Sequence, residues 1–433
     1  MKEIFKKIII SILILESKLV LFRFKPKIIA ITGSVGKTST KDAIYTALEN
    51  SLRVRKNQKS FNSEIGTPLT ILGLENAWND PVLWIKNIFL GLIVPLKKEY
   101  PEWLILEVGA DHPGDVSKVA KWLKPNVVVI TALPKIPVHV EFFSSPEALN
   151  EEDLSVINYL QKDGTLVLNA DDKLALAAKE RFSGNVYTYG SDINSSVSFS
   201  NENIVYTNHD EIKLPSGVSF KVSNSGNSVP VFLPNVLGVQ HILPVTAAVA
   251  VGLSQGVPFL NMVNSFSNFQ APRGRMNLIL GKNKSMIIDD TYNASPIAMQ
   301  KAVEVLSEVE TNGNKIAVLG DMLEIGRYSA SEHKKIGEQI AKSKIDILVS
   351  VGIRAQSIFQ SAIECGMDKD SVLHFRDFNG VSDFLSNYLK PGAVVLVKGS
   401  QSIRLEKVVA EIISEDLDKS SLLVRQEIDW KNR

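Results

Sequence analysis

The chain has little of several features that mark large classes of proteins. It contains one cysteine, Cys365, among 433 residues, which excludes a disulfide framework and is typical of a protein from the reducing cytoplasm. No Cys/His spacing of a zinc site occurs. Lys and Arg number 48 and Asp and Glu 47, so the net charge of +1 shows no basic excess and predicts no nucleic-acid partner. The length predicts two or three domains at about 150 residues each.

A run of apolar residues that is clearly long enough to span a membrane is also missing. Residues 8–22, from Ile8 to Phe22, are nearly all apolar and have basic residues on both sides, but Glu16 and Lys18 interrupt them. No small-residue cleavage site follows. Three interpretations stay open: a helix packed on the core, a helix lying in a membrane interface, and a true anchor. A second apolar segment, residues 82–95, could share a surface with the first, although a buried helix is favoured.

The most informative stretch is residues 27–40, with the sequence KIIAITGSVGKTST. The apolar, β-branched run before Gly33 predicts a buried parallel strand, Gly33 and Gly36 predict a tight turn, and Lys37 begins an amphipathic helix. Backbone N–H groups and the helix dipole at such a turn attract phosphate, Lys37 adds a positive charge, and the hydroxyl of Thr38 can reach Mg²⁺. The predicted nucleotide contacts are Gly33, Ser34, Val35, Gly36, Lys37, Thr38 and Ser39.

Two further apolar strands, residues 103–108 and 126–131, lead to residues that can do chemistry. Glu107 stands at the end of the first, where an acidic side chain beside a phosphate-binding loop can hold the metal that bridges the phosphates. A solvated strand end is the alternative. His139 follows the second strand, and it is either a ligand at the mouth of the sheet or an ordinary surface histidine. The polar loop 59–70 is a candidate for contacting substrate.

The rest of the chain predicts an antiparallel patch and then a second α/β unit. Residues 197–233 contain short alternating strands, residues 243–253 return to a helix, and a boundary is expected near Pro272. Beyond it, apolar strands alternate with amphipathic helices, which predicts a doubly wound parallel sheet. This part lacks the glycine fingerprint of a dinucleotide site. The polar tail, residues 415–433, is expected to be loose.

The predicted fold class is therefore α/β with two folded units. A central P-loop ATPase domain with a parallel sheet is followed by a C-terminal Rossmann-like doubly wound domain. The expected divisions are an apolar N-terminal segment at residues 1–27, the central domain at 28–272 and the C-terminal domain at 273–433.

Nine short motifs resemble, in the same order, those of the Mur ligase family of ATP-dependent amide-forming enzymes. The resemblance covers residues 28 to 408, and the motifs read ITGSVGKTST, FNSEIGTPLT, LEVGADHPGD, HVEFF, LNADD, GRM, DDTYNASP, VLGDMLEIG and VKGS. The resemblance implies a peptide ligase that uses ATP and Mg²⁺ to convert a carboxylate into an acyl phosphate, which an amine then attacks. Within the family, the chain looks most like members that add D-alanyl-D-alanine to UDP-N-acetylmuramoyl-tripeptide for peptidoglycan synthesis. The implied partners are thus a nucleotide-sugar peptide and a dipeptide.

The resemblance also implies roles for residues of this chain. Lys37, Glu107 and His139 are the implied catalytic residues. Lys37 would hold the ATP phosphates, Glu107 and Thr38 one Mg²⁺, and His139 looks like the ligand of a second Mg²⁺. Asp153 stands where the family usually has a lysine that is often carbamoylated, so it either supplies a metal ligand itself or weakens that second site. Further residues implied at the ATP site are Arg275, Asp290 and Asn293, and those implied at the substrate are Asn62, Thr67, Lys398 and Ser400.

Two departures from the family pattern leave alternatives open. The family's glycine-histidine-asparagine helix start reads Gly238, Val239, Gln240 and His241 here. In addition, a segment of about 27 residues with a long apolar run stands where a sugar-binding domain is usual. The alternatives are a ligase for a different cell-wall peptide acceptor and a membrane-associated scaffold that binds ATP without ligating. We expect a monomer in the cytoplasm, with peripheral contact to the inner face of the plasma membrane through residues 8–22 as an open alternative.

Overall fold

The computed structural model describes residues 2–57, 64–78, 80–209, 211–427 and 430, which build two sheets that follow each other along the chain. In these residues the first sheet has the strands β1 Lys27–Thr32, β2 Val54–Lys56, β3 Trp103–Glu107, β4 Val127–Ile130, β5 Thr165–Asn169, β6 Asn185–Gly190, β7 Val197–His209, β8 Ile212–Asn224 and β9 Asn227–Pro234. The helices of this part are α1 Lys2–Phe24, α2 Lys37–Leu48, α3 Gly66–Leu72, α4 Pro81–Ile93, α5 Asp115–Leu123, α6 Pro146–Leu154, α7 Lys173–Ala177, α8 Val239–Ser254 and α9 Phe259–Ser265.

The first sheet brings the ends of its central strands to one edge. Its strand order is β2-β3-β1-β4-β5-β6-β7-β8-β9, parallel up to β7 and antiparallel from β7 to β9, which confirms the antiparallel patch. β1 lies between β3 and β4, with Ile31 opposite Glu107 and Thr32 opposite Ile130. The central strands are buried on both faces, since α2 and α8 pack on one side and α3 and α5 on the other. The loops that follow these strands therefore meet at one edge.

The second sheet is the predicted doubly wound one. It contains β10 Asn277–Leu280, β11 Met286–Asp290, β12 Lys315–Gly320, β13 Ile347–Val351, β14 Val372–Phe375 and β15 Val394–Lys398. Its helices are α10 Pro296–Glu308, α11 Ser329–Ala341, α12 Gln356–Glu364, α13 Val381–Ser386, α14 Glu406–Ile412 and α15 Lys419–Leu422. The strand order is β10-β11-β15-β12-β13-β14, and only the pair β10–β11 is antiparallel among those described. The predicted α/β fold class, with a parallel P-loop sheet and a second doubly wound sheet, is confirmed.

The N-terminal apolar segment lies in α1, which packs on α3 and α4. Its buried face includes Ile9, Leu13 and Val20, as the core-packing interpretation expects. Within the described ranges, no helix combines the length and the apolar content needed to cross a membrane. The expectation of a buried helix over residues 82–95 is wrong, because α4 meets the protein along one narrow face and exposes most of its apolar side chains.

The C-terminal tail also differs from the loose segment that its polarity predicts. Arg425 is buried, and its guanidinium donates hydrogen bonds to the carbonyls of Thr291 and Tyr292 and to the carboxylate of Glu406. Leu423 is buried in the core beside the second sheet. The long cationic side chain of Arg425 therefore fastens the tail against the loop that follows β11.

Candidate active site

The phosphate loop adopts the predicted strand–turn–helix form in a conformation that needs its glycines. Gly33 has φ 118° and Gly36, which precedes α2, has φ 89°, both in the left-handed region. A Cβ on Gly33 would lie 2.4 Å from Oγ1 of Thr131, so no side chain fits there. Lys37 folds back over the turn, and its Nζ donates a hydrogen bond of 2.5 Å to the carbonyl of Gly33. Its ammonium group is thereby held at the turn where phosphate oxygens would bind.

A buried polar cluster lies directly behind this loop. Oγ1 of Thr38 donates to Oε2 of Glu107 at 3.2 Å, and Nζ of Lys41 lies 3.1 Å from Oε1 of the same carboxylate. Both carboxylate oxygens therefore have partners from the first turns of α2. Nη2 of Arg275 donates to Oγ1 of Thr38 at 3.4 Å. A guanidinium from the start of the second unit thus reaches the phosphate loop of the first.

Among the described residues the guanidinium of Arg275 makes no ion pair, and other contacts hold it in place. It stacks over the ring of Tyr292 with 4.3 Å from Cζ to the ring centroid. The backbone carbonyl of Arg275 lies 2.8 Å from Nε2 of His241. Because a carbonyl can only accept, Nε2 carries the proton and donates this hydrogen bond. Burial lowers the pKa of His241 to about 4, which keeps the imidazole neutral. A neutral neighbour leaves the positive charge of Arg275 available to an anionic ligand.

Two predicted residues of the second sheet form a buried ion pair at the same cleft. Nζ of Lys398, at the end of β15, lies 2.6 Å from Oδ2 of Asp290 at the end of β11. It also donates to the backbone carbonyl of Asn293 at 3.0 Å. Oγ of Ser400 accepts a hydrogen bond of 2.9 Å from the backbone N–H of Leu323. The carboxyl ends of β11 and β15 therefore supply these side chains to one edge, and the loop after β12 supplies the backbone N–H of Leu323.

His139 lies between carboxylates from both units. The residue has φ 69°, and its Nδ1 is 2.8 Å from Oε2 of Glu324, in the loop after β12. Its Nε2 is 3.5 Å from Oδ1 of Asp111, in the loop after β3. The hydrogen bond from His139 holds the pKa of Glu324 below its usual value. His139 therefore links the two units across the cleft.

Three of the implied residues lie elsewhere or cannot be placed. Asp153, on α6, is buried and accepts a hydrogen bond of 2.9 Å from Oγ1 of Thr32. Burial raises the pKa of Asp153 to about 6, although the positive charge of Lys37 opposes the shift. Thr67 is buried in α3, its hydroxyl has no hydrogen-bond partner among the described residues, and like Asp153 it does not line the cleft. Asn62 lies outside the described residues.

The remaining groups converge on one cleft of about 1610 Å³ between the two units. In the parts of the chain that are described, no three His, Cys, Asp or Glu side chains group closely enough to hold a metal ion by themselves. A cation in this cleft would therefore also need hydroxyl, phosphate or water ligands. The sequence-predicted residues that line the cleft are Ser34, Val35, Gly36, Lys37, Thr38, Ser39, Glu107, His139, Arg275, Asp290, Asn293, Lys398 and Ser400.

Comparison with known families assigns both units. The Mur ligase middle domain matches residues 31–252, which is more than half of the chain, and the glutamate ligase domain of Mur ligases matches residues 274–401. The chain belongs to the Mur ligase family. This confirms the family resemblance of the nine motifs.

Two individual Mur ligases with the same name, and two solved MurF structures, are similar to this chain over most of its length. The UDP-N-acetylmuramoyl-tripeptide–D-alanyl-D-alanine ligase of Bacillus subtilis is 29% identical over 391 residues, covering 90% of this chain and 77% of that protein. The enzyme of the same name from Escherichia coli is 28% identical, covering 88% and 76%. A crystal structure of MurF from Acinetobacter baumannii superposes with a TM-score of 0.76 at 25% identity, covering 93% of this chain and 80% of that one. A MurF ligase from Thermotoga maritima in complex with ADP has the same fold, with a TM-score of 0.74 at 23% identity, covering 93% and 83%.

Several residues of this Mur ligase site were not singled out by sequence reasoning. Asp111 and Glu324 contact His139, Lys41 pairs with Glu107, and Tyr292 stacks under Arg275. Asp111, Glu324 and Tyr292 lie within the family motifs, two to four residues beyond the ends of apolar strands. An acidic or aromatic residue just beyond a parallel strand was the signal available for them.

Proposed function

We propose that this Mur ligase joins D-alanyl-D-alanine to UDP-N-acetylmuramoyl-tripeptide, with ATP cleaved to ADP and phosphate. The observation that carries the proposal is the meeting of Arg275 with Thr38, which completes a cationic phosphate site from two units in one cleft. The name shared by the Bacillus subtilis and Escherichia coli relatives supports this choice of substrates. The reaction brings three large molecules together, namely ATP, the nucleotide-sugar peptide and the dipeptide. A cleft of about 1610 Å³ is large enough to hold the reacting groups of all three.

The chemistry needs charge neutralisation more than a protein nucleophile. The substrate carboxylate attacks the γ-phosphorus of ATP, ADP leaves, and an acyl phosphate forms. The amine of the dipeptide then attacks the acyl carbon, and phosphate departs with the former carboxylate oxygen while the nitrogen gives up a proton. In our proposal Lys37 and the backbone N–H groups of residues 34–38 bind the β- and γ-phosphates. Arg275 stabilises the charge that develops on the transferred phosphoryl group.

We also propose a Mg²⁺ ion at Thr38 and Glu107. Their hydroxyl and carboxylate oxygens lie 3.2 Å apart behind the phosphate loop, and Mg²⁺ prefers oxygen ligands together with substrate phosphates. When bound, the ion would neutralise charge on the phosphates. Nζ of Lys41, 3.1 Å from Oε1, orients the Glu107 carboxylate for that role. A second Mg²⁺ at His139 and Asp153 stays a prediction. His139 contacts Asp111 and Glu324, whereas Asp153 is hydrogen-bonded to Thr32, so the two side chains have different partners in this structure.

For the domain division we propose residues 28–272 and 273–433. The first sheet ends at Pro234 and the second begins at Asn277. The helices α8 and α9 between them pack in the core of the first sheet, which favours a boundary after them. We further propose that the protein acts as a monomer in the cytoplasm, where nucleotide-linked precursors and ATP are found together.

The test is phosphate release by the purified full-length protein with ATP, Mg²⁺, the nucleotide-sugar tripeptide and D-alanyl-D-alanine, each omitted in turn. We expect release that requires all components and a pentapeptide product seen by mass spectrometry. Lys37→Ala should abolish release, whereas Lys221→Ala, on an exposed position of β8, should leave it unchanged. Release with another acceptor only would replace the substrate assignment, and ATP binding without release for any acceptor would favour the scaffold.

A further inference from the structure

The largest group of exposed apolar side chains lies on α1, on α4 and beside them, and we call it the α1–α4 face. Thirteen of the nineteen large apolar side chains that are exposed in the described residues come from residues 8–22 and 78–96. Apolar residues scattered singly over a surface are normal, but a concentration of this kind marks an interaction site. The face consists of Ile8, Leu15, Leu19, Phe22, Trp78, Val82, Leu83, Ile85, Phe89, Leu90, Leu92, Ile93 and Leu96.

In α1 the exposed apolar residues form a stripe. Ile8, Leu15, Leu19 and Phe22 recur at spacings of seven, four and three, so they project from one side of the helix. Phe22 is 80% exposed. The opposite side of α1 packs on the protein. The helix therefore has two apolar faces, of which the protein covers only one.

In α4 the exposed side is almost wholly apolar. Only Trp84, Asn87 and Gly91 are buried, and they lie on one narrow face. Between residues 82 and 93, every exposed residue is apolar except Lys86. A surface helix of a soluble protein normally presents polar residues on that side.

The two helices form one continuous surface. A Cβ on Gly91 of α4 would lie 2.0 Å from Oε2 of Glu16 in α1, so the helices touch at that point. Nε of Arg23, at the end of α1, donates a hydrogen bond of 2.9 Å to the carbonyl of Pro95, just after α4. These contacts hold the two apolar faces side by side.

Positive charge exceeds negative charge in the segments that carry these apolar residues. Residues 6–25 and 75–99 contain eight Lys and Arg against four acidic residues, while the whole chain carries a net charge of +1. One of the four acids, Glu16, is buried between the helices. The exposed cations are Lys6, Lys7, Lys18, Arg23, Lys25, Lys86, Lys97 and Lys98, and none of them pairs with an acidic side chain of the described residues.

We propose that the α1–α4 face binds the interfacial region of a membrane that contains anionic lipids. Apolar side chains would enter the boundary between head groups and acyl chains while the surrounding lysines contact lipid phosphates. The geometry fits helices lying in the membrane plane, since neither is long and apolar enough to cross it. A second copy of the chain fits less well, because a symmetric pair would bring the same cations together. None of the residues of this face lines the cleft, so vesicle binding and phosphate release are separate measurements of two surfaces.

The test is co-sedimentation of the full-length protein with vesicles of phosphatidylcholine mixed with phosphatidylglycerol, compared with pure phosphatidylcholine. We expect binding to the mixed vesicles that weakens as salt is raised. Replacing Ile85, Phe89 and Leu92 together by serine should lower the partition coefficient at least about 30-fold, since each side chain contributes severalfold. The matched control replaces Ile193, Leu260 and Ile353 by serine, three exposed side chains that do not belong to the face, and should change binding less than about twofold.

A second variant keeps the apolar side chains in place. Lys97→Gln with Lys98→Gln should lower binding to mixed vesicles roughly 25-fold, since each cation near an anionic surface contributes about fivefold. An unchanged thermal midpoint would show that each variant is folded. Three results would overturn the proposal: no binding of the wild type to mixed vesicles, equal binding to pure phosphatidylcholine, or a wild-type dimer in light scattering that the serine variant converts to a monomer.

Discussion

The buried ion pair of Lys398 and Asp290 allows a sharp test of how the second sheet is held together. We consider Lys398→Met, which keeps the length of the side chain and removes its charge. The side chains of Lys398 and Asp290 are only 2% and 11% exposed, and their charged atoms lie 2.6 Å apart. The substitution leaves a carboxylate with no cation in a low-dielectric place and also frees the carbonyl of Asn293. The structural result is an uncompensated buried charge.

Breaking a buried pair from one side costs about 3 to 5 kcal/mol of unfolding free energy. Asp290 borders the cleft, where water can partly solvate it, so we expect the lower end of that range. With a urea m-value of about 3 kcal/mol/M, the unfolding midpoint should fall by about 1 M. Lys301→Met is the matched control, because its ion pair with Glu304 is equally short at 2.7 Å but 47% and 46% exposed. Its loss should cost less than about 1 kcal/mol.

The assay is urea unfolding followed by circular dichroism for the wild type, Lys398→Met, Asp290→Asn, the double variant and the control. The double variant should be more stable than Lys398→Met alone, because it no longer buries a lone charge. Effects of the two substitutions that add within about 0.5 kcal/mol would refute the reasoning. So would a control that loses as much stability as Lys398→Met.

Three further predictions concern the cleft and two buried carboxyl groups. Arg275→Lys keeps the charge but loses the planar group that reaches Thr38 and stacks over Tyr292, so kcat/KM for phosphate release should fall about 100-fold. A decrease of less than about threefold would contradict the role of Arg275 in stabilising the transferred phosphoryl group. Burial raises the pKa of Asp153 to about 6 from 3.8, so this carboxyl group keeps its proton to a higher pH in the folded state than in the unfolded state. The free energy of unfolding should therefore fall by up to about 3 kcal/mol as the pH rises from about 4 to 6. Asp153→Asn should lack this component, and equal pH profiles of the unfolding midpoint in variant and wild type would argue against it. Burial likewise raises the pKa of Glu16 to about 7 from 4.5, so the free energy of unfolding should fall as the pH rises from about 4.5 to 7. At a pH of about 8, Glu16→Gln should have a higher thermal midpoint than the wild type, and equal midpoints would contradict the prediction.

Much of the fold follows from local patterns. The β-branched run of β1, the left-handed glycines at positions 33 and 36 and the amphipathic spacing of α2 specify the phosphate loop within about twenty residues. Apolar runs separated by turns likewise predicted the central strands of both sheets but not β2, β6, β10 or β14, and the alternation of strands with helices predicted the doubly wound second unit. These signals work because strand, turn and helix preferences depend on neighbours in the sequence.

The contacts that define the candidate site were decided only by the tertiary structure. Lys398 and Asp290 were both predicted at the site but with separate roles, and they form a pair because β15 inserts next to β11. Arg275 reaches Thr38, and Glu324 reaches His139, from units far apart in the sequence. The sequence pattern likewise showed that α4 is apolar but favoured a buried position, whereas most of its apolar side chains are exposed.

The physical reason for this division is the range over which each preference acts. Periodicity and turn chemistry are local, so the chain itself determined its strands, its helices and the phosphate loop. Strand order, by contrast, depends on how every apolar face of the chain is covered at once. Which cations meet which carboxylates at the cleft, and which apolar face stays uncovered, is therefore a property of the assembled protein.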